Sequence, residues 1–101
     1  MKINTLYQVF ELLREVGVIN NRSDFSQDWL GQSECYLRTL QFKKAEPSIG
    51  VVAICASRLQ RAGEEMVALP RYRPVGMRFI ALSEKCHALV NEDAVELVLA
   101  G

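Results

Sequence analysis

The chain is poor in the residues that carry chemistry. It has one histidine, His87, and three cysteines, Cys35, Cys55 and Cys86, widely spaced and without a CxxC pair. An odd count at that spacing argues against a disulfide framework, and the ligands of a structural zinc site are missing. Cys86 and His87 are adjacent, but neighbours on a helix point about 100° apart and do not converge on one metal. We expect plain thiols, no metal and no cofactor. Surplus charge is also lacking: twelve basic and twelve acidic side chains cancel. A free-standing nucleic-acid binder usually carries a positive excess. No apolar run approaches the ~20 residues of a membrane span. Gln8, Glu11 and Arg14 interrupt the apolar residues a signal peptide would need. The expectation is a cytoplasmic protein with no membrane partner. A phosphate-cradling glycine pattern and a paired-carboxylate signature are absent, and His87 has no evident nucleophile. The expectation is that the chain is not an enzyme.

What remains is a good small helical protein. Of 101 residues, half are apolar, enough for one modest core. Leu6, Val9, Phe10, Leu13 and Val16 follow helical spacing, so Asn4 or Thr5 caps a first helix that runs to about Val16 and stops at Gly17. Ser23 or Asp24 caps a second helix, about 24–30, anchored by Phe25, Trp29 and Leu30. Gly31 suits a left-handed residue at its end. A third helix runs from a Ser33 cap to Gln41. Leu37 and Leu40 turn inward, and Glu34, Cys35, Arg38, Thr39 and Gln41 outward. Phe42 to Glu46 form a connector. Ser48 then caps a fourth helix, apolar almost all round and therefore central.

After Arg61 the signals are weaker. Gly63 interrupts or ends the fourth helix, and Glu64 to Leu69 add a turn or two. Pro70 to Gly76 read as a loop. From Met77, the residues Phe79, Leu82, Cys86, Leu89 and Val90 fit a helical stripe, although 77–82 alone also fits a strand. Ala94 to Leu99 read as a last short helix. The expected fold is all-α, a compact bundle of about five to six helices. It divides into a helix-turn-helix domain at 1–61 and a C-terminal extension at 62–101 that packs on it or dimerises.

Leu30-Gly31-Gln32-Ser33, with Leu37 and Leu40 four and seven residues after the serine, resembles the helix-turn-helix of the lambda-repressor/Cro-like family. Pro47-Ser48, followed by Ala56 and Leu59, matches that family's next helix. The family's small residue four before the glycine is Gln27 here; Ser26 takes that role if the helix is offset by one. The Glu that usually follows the recognition helix is Gln41 here. The glycine of the following connector has no counterpart. A second resemblance rests on Asp24-Phe25-Ser26, Trp29-Leu30-Gly31, Ser33, Tyr36-Leu37 and Pro47-Ser48. It is to a family of small proteobacterial proteins of unknown function.

The first resemblance implies a DNA-binding transcriptional regulator that reads the major groove with the helix at about 33–41. Gln32, Ser33, Glu34 and Cys35 would lie nearest the bases, and Arg38, Thr39 and Gln41 would follow along the groove. Arg22, Lys43 and Lys44 would hold phosphates. Residues 22–61 carry six basic and four acidic side chains, a weak lean in the required direction. Double-stranded DNA and a second copy of the chain are the expected partners. The alternative is a protein-interaction module on the same scaffold. The C-terminal apolar residues Met77, Phe79, Ile80, Leu97 and Leu99 favour it, because they exceed what a four-helix core needs.

Overall fold

A computed structural model of the chain describes the backbone of residues 2–100 and the side chains of residues 2–92. Among the described residues all regular structure is helical: α1 Lys2–Glu15, α2 Arg22–Asp28, α3 Tyr36–Lys43, α4 Ile49–Val67 and α5 Arg73–Ala100. Residues 77–82 are helical, inside α5, and not a strand. The molecule measures 46 × 30 × 18 Å. Its length follows from α5, whose 28 residues span about 42 Å at the helical rise.

α1 buries Leu6, Val9, Phe10 and Leu13 of the expected stripe and Leu12 besides, while Val16 lies just past the helix and is only partly buried. Phe10 meets Phe25 of α2 edge to face at 5.7 Å. At the start of α1 the Glu46 carboxylate accepts the Ile3 N–H at 2.9 Å. This carboxylate complements the positive end of the helix dipole. The α2 cap is Asn21, whose Oδ1 accepts the Asp24 N–H at 2.9 Å, rather than Ser23 or Asp24. Asp24 instead returns a bond to the Asn20 N–H at 3.1 Å. Ser48 caps α4 as expected.

The C-terminal half departs most from the sequence reading. Gly63 neither ends nor interrupts α4, which continues to Val67 and so runs through residue 61. Pro74 and Gly76 are not loop residues; they lie in the first turn of α5. A proline is tolerated there because its missing N–H would have no helical acceptor. Gly63 and Gly76 face each other where α4 and α5 touch. A Cβ on Gly76 would lie 2.8 Å from the Gly63 carbonyl oxygen, and one on Gly63 would lie 3.0 Å from the Gly76 carbonyl oxygen. The glycines let two backbones approach, which is a packing role rather than a helix-breaking one. The separate helix expected at 94–99 is the backbone continuation of α5; Leu97 and Leu99 lie outside the residues with described side chains.

α5 then ties the bundle together. Phe79 is fully buried and meets Trp29 edge to face at 6.2 Å, so Trp29 is a structural anchor. Arg78 donates to Glu15 at 2.9 Å and Lys85 to Gln8 at 2.8 Å, both across to α1. The Arg78 hydrogen bond, then its charge, hold the Glu15 carboxyl below its ordinary range. Exposed pairs of this kind contribute little stability. His87 bonds to Gln60 of α4 at 2.9 Å through Nε2. Cys55 and Cys86 are buried in the core, while Cys35 is exposed. The Cys86 thiol beside it, then burial, push the Cys55 thiol well above its usual range, as for an unreactive core thiol.

Candidate nucleic-acid interface

Seven residues, 29–35, separate α2 from α3. A helix-turn-helix turn has about three or four. The third helix therefore starts at Tyr36, not at Ser33. Ser33 makes no side-chain cap. It lends its backbone carbonyl to the Tyr36 N–H at 3.1 Å.

Ser26 holds this longer connector. It is fully buried on α2. Its backbone carbonyl accepts the Gln32 N–H at 2.9 Å, and its Oγ accepts the Leu37 N–H at 3.2 Å. One residue thus closes α2 and supplies the missing acceptor for the first turn of α3. Ser26 is buried, whereas the neighbouring Gln27 is exposed. Gly31 has φ of +65°, the left-handed conformation expected of it. From below, Arg58 of α4 donates to the Asp28 carbonyl at 2.7 Å, a cation at the negative end of α2.

α3 buries Leu37 and Leu40. Tyr36 is half-buried against the core, and that burial raises its phenol pKa. The residues between turn outward. Arg38, Thr39, Phe42 and Lys43 are exposed. At 100° per residue, Phe42 and Thr39 form the crest and Arg38 and Lys43 flank it. Phe42 is 88 % exposed, by far the least covered large apolar side chain among those described. Phe42 lies within α3, not in a connector as expected from the sequence. The signal was present: five residues beyond Leu37 lies on the opposite side of the helix.

Lys44 ends α3 with φ of +52°. The Ala45 N–H bonds to the Leu40 carbonyl at 3.0 Å and the Lys44 N–H to the Gln41 carbonyl at 3.2 Å. This is the Schellman closure that glycine usually serves. A lysine in this left-handed conformation costs about 1 kcal/mol. Lys44→Gly is expected to raise the melting temperature by about 4–8 °C, measured by thermal circular dichroism. An unchanged or lower midpoint would contradict the left-handed assignment.

The expected site residues fall into three places. Gln32, Ser33, Glu34 and Cys35 lie on the connector, ahead of the helix rather than in it. Arg38, Thr39 and Gln41 lie on α3, with Gln41 half-buried instead of fully outward. Lys43 and Lys44 close α3, whereas Arg22 opens α2. Between Glu34 and Glu46 the chain carries Arg38, Lys43 and Lys44 and no acid. Among the described residues none of these cations is held in an ion pair or hydrogen bond, and Glu34 does not bridge to Arg38.

Elsewhere the surface offers little chemistry. A groove of about 550 Å³ between α1 and α5 is lined by Tyr7, Gln8, Glu11, Leu12, Glu15, Arg78 and Leu82, none of them a serine, cysteine or histidine. No group of three metal-ligating side chains comes together among the described residues. No helix there is long and apolar enough to cross a membrane.

Against known families, the chain matches the model of a family of unknown function, DUF6626, over residues 6–99. The chain belongs to that family. The match spans all five helices in whole or large part, and it agrees with the expected membership in a family without assigned chemistry. No curated protein and no solved structure matches the chain. The family description assigns no residue a role, and the helix-turn-helix resemblance gains no support from these comparisons.

Proposed function

We propose that this protein binds double-stranded DNA, laying the exposed face of α3 against the major groove as a small transcriptional regulator. The observation that carries the reading is the run of uncommitted cations on α3, Arg38, Lys43 and Lys44, with no acid between Glu34 and Glu46. Glu46 is turned away to the α1 terminus and does not neutralise them. Arg38 has the planar fork that recognises guanine, and Phe42 at the crest suits a thymine methyl. Lys43 and Lys44 would meet phosphates and set register. Arg22 on α2 would add a third phosphate contact. The connector residues Gln32, Ser33, Glu34 and Cys35 would lie beside the groove edge, held there by Ser26.

The test is a titration with random-sequence duplex DNA across salt, followed by selection. With three phosphates neutralised per protomer, log K should fall against log salt with a slope of about −2.7. Lys43→Gln should make that slope shallower by roughly 0.9. Arg38→Ala should abolish sequence-specific binding and leave the thermal midpoint within about 1 °C, since an exposed, unbonded side chain carries little stability. Retained selectivity in that variant, or a large loss of stability, would overturn the assignment.

A protein-interaction module is the second reading. Phe42 favours it, because an aromatic side chain at that exposure between two cations also suits an apolar pocket on a protein. Absence of DNA binding at low salt would decide for it.

A further inference from the structure

Two thiols lie side by side in the core, and the reading of α3 makes no use of them. Cys55 is on α4 and Cys86 on α5. Both are free and neither is exposed to solvent. The Cys55 S–H donates a hydrogen bond to the Cys86 sulfur. A buried cysteine by itself is a small apolar filler. Two in hydrogen-bond contact across a pair of helices are a dithiol, with chemistry that neither has alone. The third thiol, Cys35, is exposed just before α3 and takes no part.

The packing of α4 on α5 keeps the pair together. Gly63 and Gly76 bring the two backbones into contact, and the bond between His87 and Gln60 ties the same helices one residue beyond Cys86. The two sulfurs are not equivalent. The hydrogen bond from Cys55 outweighs burial and, helped by the Lys85 charge, holds the Cys86 thiol below its usual range. The same bond pushes Cys55 up. Cys86 is therefore the nucleophile of the pair, and Cys55 keeps its proton until a partner sulfur is ready.

We propose that Cys55 and Cys86 are an oxidative modification site, a dithiol that a small hydroperoxide converts to a disulfide between α4 and α5. The Cys86 sulfur attacks one oxygen of hydrogen peroxide. The S–O bond forms as the O–O bond breaks, and the departing hydroxide leaves with the Cys86 proton as water. Sulfur is oxidised to the sulfenic acid and peroxide is reduced. The Cys55 sulfur then attacks the Cys86 sulfur. The S–S bond forms, the S–O bond breaks, and the Cys55 proton leaves with that hydroxide as a second water. A thiol reductant reverses the change. Burial admits a peroxide during local opening of the helix pair and excludes bulkier oxidants. The cross-link closes residues 55–86 into a loop and locks α4 to α5. The proposal does not rest on the role of α3.

Peroxide titration of the folded full chain carrying Cys35→Ser tests it by intact mass and thiol counting in denaturant. The expected product is a monomer lighter by two hydrogens with no free thiol, and dithiothreitol should restore both. Its melting temperature should rise by about 10 °C or more. A Cys55→Ser variant should stop at a sulfenic acid on Cys86, trapped by dimedone, whereas Cys86→Ala should take up no oxygen at Cys55. The Cys35→Ser chain keeps both core thiols, so the main result does not depend on whether the core variants fold. Core thiols that stay reduced at a peroxide dose that oxidises Cys35 of the wild-type chain would overturn the proposal. So would cross-links between chains in place of the internal one, or a first oxidation at Cys55.

Discussion

Gly76→Ala is expected to lower the melting temperature by about 8–16 °C, a net loss of roughly 2 kcal/mol. Two opposing effects set the size. Alanine inside a helix is favoured over glycine by about 1 kcal/mol. Against that, the new Cβ would sit 2.8 Å from the Gly63 carbonyl oxygen, 2.8 Å from the Met66 Cβ and 2.9 Å from the Val67 nitrogen. Two of those three atoms are backbone, so no rotamer change relieves the overlap. α4 and α5 must separate, and overpacking of this kind costs up to about 3 kcal/mol. Gly50 is the control. It lies in the first turn of α4, where an added Cβ would meet only the Ser48 Oγ at 3.9 Å. Gly50→Ala should therefore stabilise by about 0.5–1 kcal/mol. Thermal and urea denaturation of both variants measure the contrast. A stabilised Gly76→Ala would mean that α4 and α5 do not approach as described.

Ser26→Ala should cost about 1–3 kcal/mol, while Ser33→Ala should be nearly neutral. Cap statistics alone point the other way, since Ser33 precedes the motif's third helix and losing such a cap costs about 1 kcal/mol. In the structure Ser33 is exposed and α3 begins three residues later. The hydroxyl that serves α3 comes from Ser26 on the preceding helix. Removing it leaves the Leu37 N–H buried without an acceptor. The readouts are the denaturation midpoint and hydrogen exchange at the Leu37 amide, which should lose protection in Ser26→Ala alone. A greater loss in Ser33→Ala would place the start of α3 back at 33.

These cases show where the sequence was legible. Periodicity identified the inward faces of α1 and α3, because burial repeats every three to four residues and Leu6, Val9, Phe10, Leu13, Leu37 and Leu40 keep that spacing. Gly31 was legible because a left-handed residue has few alternatives to glycine. Lys44 was not, since the closure of α3 required the same conformation of a residue that ordinarily avoids it. In the candidate interface, the outward direction of Arg38 and Thr39 followed from helical spacing. The position of Gln32 to Cys35 did not, because the length of the turn depends on what Ser26 and Arg58 hold in place.

The sequence by itself determined the helices of the N-terminal half, the left-handed turn at Gly31, the Ser48 cap and the inward faces of α1 and α3. Each is a local matter of backbone sterics or of the side-chain repeat along one helix. Only the tertiary structure decided that α4 passes through Gly63, that Pro74 and Gly76 lie inside α5, and that Ser26 supports α3. Those outcomes depend on contacts between segments far apart in the chain. A glycine that reads locally as a helix breaker becomes the point of closest helix approach once another backbone lies against it.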